Sequence, residues 1–161
     1  MTFLVIGHWP IGHCGIAKEE KSHQSNSYLY SMTLQEHTNW WKDDALRTWD
    51  TAVFNKEGNQ LVFCLFAFHL TIEKLLKAIW IKDNGAEYPP RTHDLTVLYN
   101  QTELSLPNGW YDYLATINEW NIEGRYPDYK LKIYKRATYE YVQDHFEKLI
   151  KLKTILIENI G

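Results

Sequence analysis

Arg91, His93 and Asp94 fall within four positions of the stretch EYPPRTHDLTVLYNQ, directly behind Pro89 and Pro90. An arginine offers a planar fork of donors to an oxyanion, an imidazole exchanges a proton near neutrality, and an aspartate accepts backbone N–H groups. The trio therefore reads as a catalytic group, a phosphate clamp or the cap of a helix. A second turn, EGRYPDY, sets Arg125 and Tyr126 behind Gly124. If the fold brings both turns to one end, Arg91, His93 and Arg125 can clamp a phosphate through charge-assisted hydrogen bonds. The free N–H groups of a helix start would add to that pull, and Tyr126 would offer its ring to a base. The local reading stands beside it: Thr92 or Asp94 caps a helix, and Arg125 pairs with Asp128 or Glu123.

Other chemistries have less behind them. Neither G-x-x-x-x-G-K-[ST] nor G-x-G-x-x-G nor H-E-x-x-H occurs in the sequence. His69 and Glu73, and Glu73 and Lys77, stand one helical turn apart. The second pair reads as a surface ion pair worth about a few tenths of a kcal/mol. A metal at His69 and Glu73 would need two more ligands from other helices, and no Glu-x-x-His pair within residues 32–161 supplies them. Near the start, His8, His13 and Cys14 lack a further ligand to complete a set. No metal and no cofactor is expected.

These residues must be positioned by helices. The chain has 161 residues, 45 % apolar and 15 % aromatic, which suits one domain with a substantial core and excludes a disordered polymer. A net charge of −3 exerts no global pull on nucleic acid or an anionic membrane, so such a partner must be met by a local patch. Cys14 and Cys64 form neither a disulfide framework nor a zinc spacing, which suits a reducing cytoplasm. Residues 1–31 make a poor secretory signal and are too short and broken for a membrane helix, so they read as an extension or arm ahead of a domain at 32–161.

From Met32 onward the apolar spacing is helical. Trp41, Ala45, Trp49, Ala52 and Val53 mark the face of a first helix ending at Gly58. Asn59 is the expected cap of a second helix ending at Gly85, whose first half is apolar on nearly every side and belongs at a bundle centre. A short third helix follows the prolines, and a fourth runs to Gly124. A final one from about Tyr134 to Asn159 carries Ala137, Tyr141, Val142, Phe146, Leu149, Leu152 and Leu156 as its stripe. The expectation is an all-α up-and-down bundle of about five helices.

Three stretches, HLTIEKLLKAIWI, RTHDL and GRYPD, in that order, resemble the HEPN domain over roughly residues 35–158. Glu73, Lys74, Lys77 and Ala78 fit its E-K-x-x-K-A run, Thr92 to Leu95 its T-H-D-L, and Arg125 to Pro127 its R-Y-P. His69 and Thr71 depart from the Gln and Ala that many relatives carry there. The resemblance implies a homodimeric bundle that binds nucleotides or RNA, often beside a minimal nucleotidyltransferase, and that in many members is a metal-independent ribonuclease toxin. The ribonuclease branch uses an Arg followed, after four to six residues, by a His. None of Arg47, Arg91, Arg125 and Arg136 has a histidine at that distance, and Arg136 and His145 are too far apart for one helix face. The expected role is thus a noncatalytic one. Arg91, His93, Arg125 and Tyr126 would bind phosphate or base, with Lys77 reaching in from the second helix. The run Lys130, Lys132, Lys135 and Arg136 either extends the positive surface or is the solvated start of a helix. A ribonuclease with a non-standard site and a purely protein-binding bundle are the alternatives.

Overall fold

The computed structural model describes residues 32–125 and 132–161, with residues 122–125 described by backbone alone. The chain divides at Tyr30 and Ser31 into two units. The residues before that point, with His8, His13 and Cys14, lie outside the described ones, as does Tyr126.

The described part is helical throughout, as expected, with helices α1 (Leu34–Glu57), α2 (Leu61–Asn84), α3 (Leu95–Tyr99), α4 (Trp110–Arg125), α5 (Lys132–Arg136) and α6 (Tyr139–Ile160). Thr33 opens α1 with a reciprocal cap: its side chain accepts from the Glu36 N–H, and the Glu36 carboxylate accepts from the Thr33 N–H at 2.7 Å. The signal T-L-Q-E was present in the sequence. Between α1 and α2 the left-handed residue is Asn59 (φ 56°), not Gly58 (φ −76°), and the α2 N-cap is Gln60 rather than Asn59. An asparagine tolerates that conformation well enough to free the glycine from it. Gly85 does take the left-handed role, at φ 60°.

Helix α2 is the hub: α1, α3, α4, α5 and α6 all pack on it. That covers most of its apolar first half, Phe63 remaining exposed. Phe68, Ile72, Leu75 and Leu76 are wholly buried, and Trp49, Phe68 and Phe146 form a ring cluster with centroids 5.0–5.7 Å apart. Cys64 lies in the same core, and burial pushes its thiol up to about 12. The expected stripes of α1 and α6 face this core.

The final helix differs from the single segment expected. It is broken at Ala137 and Thr138, where the Thr138 hydroxyl accepts from the Tyr141 N–H and starts α6 afresh. A threonine whose side chain caps the next turn competes with continuing the helix. Among the described residues, no helix is long and apolar enough to cross a membrane.

Core and surface aromatics should separate cleanly in stability. Phe68→Ala should cost about 3–5 kcal/mol in urea unfolding. Phe54→Ala, at a side chain 73 % exposed, should stay within about 0.5 kcal/mol. Equal losses would contradict this core.

Candidate functional site

Glu73 on α2 is the centre of the site. Its carboxylate is 4 % exposed and lies under the strap of chain that joins α2 to α3. Three cation-capable groups surround it. Lys77, one turn on, gives its ammonium to Oε1 at 2.8 Å, and the same ammonium stands 5.1 Å from the Trp41 ring centroid. The imidazole of His93 meets both oxygens, with Nδ1 at 3.1 and 3.0 Å. His69 Nδ1 stands off at 3.8 Å. Burial by itself would raise the Glu73 carboxyl. The hydrogen bonds from Lys77 and His93, and their charges, outweigh it and hold the group below the usual carboxylate value.

An ionised carboxylate only accepts, so Nδ1 of His93 is the nitrogen that donates to Glu73. The His93 side chain is 54 % exposed, and Nε2 has no partner among the described residues. The imidazole is thus fixed at one nitrogen and open at the other. Arg91, two residues earlier, is exposed and makes no side-chain ion pair or hydrogen bond among the described residues.

The strap is held by a second buried histidine. His69 is fully buried, and its Nε2 bonds the carbonyl of His93 at 3.0 Å. A carbonyl can only accept, so the proton sits on Nε2 and the amide of Asn121 on α4 donates to Nδ1 at 3.3 Å. Asn118, one turn earlier on α4, accepts the Leu95 N–H at 2.8 Å and donates to Asp94 at 2.8 Å. Asp94 is the α3 cap: its Oδ1 takes the N–H groups of Thr96 and Val97. The Thr96 hydroxyl contributes most to holding its carboxyl below the usual value, with burial opposing and Asn118 assisting. Thr92 is not the cap; its hydroxyl accepts from the Asp94 N–H at 3.1 Å.

Two expectations need correction. The start of α3 has no N–H left for an anion, since Asp94, Leu95, Thr96 and Val97 all donate to side chains. Any anion must be held by groups other than the first N–H groups of α3. The Glu73–Lys77 pair is no surface contact of a few tenths of a kcal/mol. At 4 % and 8 % exposure it is a buried pair, and removing one partner from such a pair costs about 3–5 kcal/mol. Lys77 is thereby engaged with Glu73 and Trp41 instead of reaching outward.

The structure brings His93 and Lys77 to one carboxylate and sets Arg91 on the same strap. Arg125 closes α4, but its side chain is among those not described. Sequence reading missed Asn118 and Asn121, because a neutral amide on a helix looks like ordinary solvated surface. Helical spacing from Asp94's partner Asn118 to His69's partner Asn121 was the one signal available. Among the described residues, no three His, Cys, Asp or Glu are grouped to hold a metal.

Arg136 and His145 both stand against the Tyr141 ring. The guanidinium bonds Glu119 at 2.7 Å and stands 5.8 Å from the Tyr141 ring centroid, and that ring is 4.3 Å from His145. The break at Ala137 and Thr138 puts Arg136 on α5 and His145 on α6. Burial first, then Lys148 and Arg136, depress the His145 imidazole against the pull of Asp144. Its Nδ1 meets the Tyr113 hydroxyl at 3.0 Å.

Glu73→Gln tests the central charge. The variant leaves the Lys77 ammonium buried without a counter-charge and should lose about 3–5 kcal/mol at pH 7. A carboxyl depressed on folding stabilises above its unfolded value, here 4.5, and that stability is lost as pH falls through the lower folded value. The parent's stability should therefore drop below pH 4.5 more steeply than the variant's. Parallel curves in urea unfolding from pH 7 to 3 would remove Glu73 from this role.

No curated protein and no solved structure matches the chain. The family model of the HEPN domain matches residues 38–159, most of the chain and all of the described site. The resemblance carried by the E-K-x-x-K-A, T-H-D-L and R-Y-P stretches is thus a family relationship, and the chain belongs to the HEPN domain family.

Proposed function

We infer that the protein binds a nucleotide or the phosphate of RNA at the strap between α2 and α3, without catalysing a reaction on it. The observation that carries this reading is His93, oriented by the buried Glu73 with Nε2 outward, two residues from an unpaired, exposed Arg91. Glu73 and Lys77 cancel each other, so Arg91 supplies the positive charge and His93 a directed polar contact. Arg125 and Tyr126, at the end of α4 and just beyond it, complete the proposed set. The protein acts as a homodimer and with a partner such as a minimal nucleotidyltransferase. Support for a protein surface comes from Phe54 and Phe63, 73 % and 55 % exposed near the α1–α2 turn.

The test is a thermal-melt titration of the protein with a panel of nucleotides and short RNAs. A ligand at a hundred times its Kd adds about 2.7 kcal/mol, a shift of several degrees. Arg91→Ala and Arg125→Ala should each reduce the shift. A flat panel, or a shift unchanged in both variants, would overturn the reading.

One observation favours a second function, a metal-independent ribonuclease with a non-standard site. A buried carboxylate holding one imidazole nitrogen is how a general base is oriented. His93 Nε2 would take the proton of a ribose 2′-hydroxyl as that oxygen attacks phosphorus, Arg91 would stabilise the charge that develops there, and the departing 5′-oxygen would take the proton back from His93, leaving a cyclic phosphate. Cleavage of RNA in a chelator, abolished by His93→Ala, is the expected result; intact RNA at high protein concentration would exclude it.

A further inference from the structure

Asparagine followed by glycine occurs twice in the chain, at Asn84–Gly85 and at Asn108–Gly109. In such a pair no Cβ hinders the glycine nitrogen, which can approach the carbonyl carbon of the asparagine's own side chain. The fold places the two pairs in opposite circumstances.

Asn84 is locked. It closes α2, and its side-chain amide donates to the Trp80 and Gln101 carbonyls, both at 3.0 Å. The Gly85 N–H donates to the Ile81 carbonyl at 3.0 Å. Three hydrogen bonds must therefore break before the glycine nitrogen can reach the amide carbon.

Asn108 is free. It is exposed, and its amide has no partner among the described residues. The Trp110 N–H closes a turn on the Pro107 carbonyl at 3.3 Å, which leaves the Gly109 N–H outside the turn's own bond and without another partner among the described residues. Gly109 holds φ 88°, and no atom beyond its chain neighbours lies within 4 Å of where a Cβ would stand. A five-membered ring can form there without displacing anything.

We propose that Asn108 is a site of self-modification, at which the Gly109 nitrogen attacks the side-chain amide and the fold directs this reaction to Asn108 and away from Asn84. The Gly109 nitrogen gives up its proton and bonds to Cγ of Asn108. The Cγ–Nδ2 bond breaks, and Nδ2 leaves with a proton as ammonia. Water then opens the cyclic imide at one of its two carbonyls, giving aspartate, or isoaspartate with an extra carbon in the main chain. Either product carries a carboxylate just ahead of α4, where the helix start favours negative charge. Asn108 shares a cavity wall with Lys148, Lys151 and Asp112. Two positive charges and one negative there sum to +1, and the new carboxylate brings the sum to zero. The change is independent of the α2–α3 strap and of the function proposed for it.

The experiment is incubation of the folded, full-length protein at mildly alkaline pH, followed by tryptic digestion and fragment mass spectrometry. Cleavage after Lys82, Arg91 and Arg125 puts the two pairs on separate peptides, 83–91 and 92–125. Asn108 should turn to acid at least tenfold faster than Asn84 in the folded protein. In urea, where the bonds that lock Asn84 are lost, the two rates should converge. Asn108→Gln should abolish the change at that position and leave Asn84 as slow as before. Equal rates in the folded protein, faster conversion of Asn84, or a tenfold gap that persists in urea would each overturn the proposal.

Discussion

One buried carboxylate organises the meeting of α2 with the strap that leads to α3. Glu73 sits in the helix every other helix packs on, and a charge there is tolerable only if it is fully answered. Lys77 answers it from the same helix and His93 from the strap beyond. The second answer has a structural consequence, since a strap containing two prolines has few backbone bonds of its own. Glu73 and His69 hold it from below at the His93 ring and carbonyl, while Asn118 and Asn121 hold α3 and His69 from the side. Fold and site are therefore not separable here: the contacts that close the bundle also fix the imidazole.

The same arrangement explains the division of labour among the basic groups. Lys77 lies below the surface, shielded by Trp41 and joined to Glu73, and so contributes to stability. Arg91 lies above, on a segment whose position is set by others, and keeps its guanidinium in solvent. His93 belongs to both levels, one nitrogen inward and one outward. An arginine that need not stabilise the fold is available for a ligand.

Helices were legible in the sequence because apolar spacing is a local property. The faces of α1 and α6 and the all-round apolar start of α2 follow from which residues must leave water. The Asp94 cap was legible for a related reason, as a short acceptor before an apolar run. Contacts between residues twenty or more apart were not. Nothing in the string ties Glu73 to His93, or His69 to Asn121, because each link depends on how α2, the strap and α4 meet in space. The magnitude of the Glu73–Lys77 pair was hidden likewise, since spacing gives the pairing and only packing gives the burial. Asn59 taking the left-handed turn in place of Gly58 is a smaller case, in which either neighbour satisfied the local rule.

The interruption at Ala137 and Thr138 separates two kinds of distance. Within one helix, inserting a residue rotates everything beyond it by about 100°, so an Arg and a His on the same helix are locked in phase. Arg136 rides on α5 and His145 on α6, with Ala137 and Thr138 between the two helices. A residue gained or lost at that break does not carry the fixed step of about 100° from α5 into α6. Across such a joint the number of residues between the two no longer fixes their relative facing, so a motif defined by counting positions loses its meaning where the helix is interrupted.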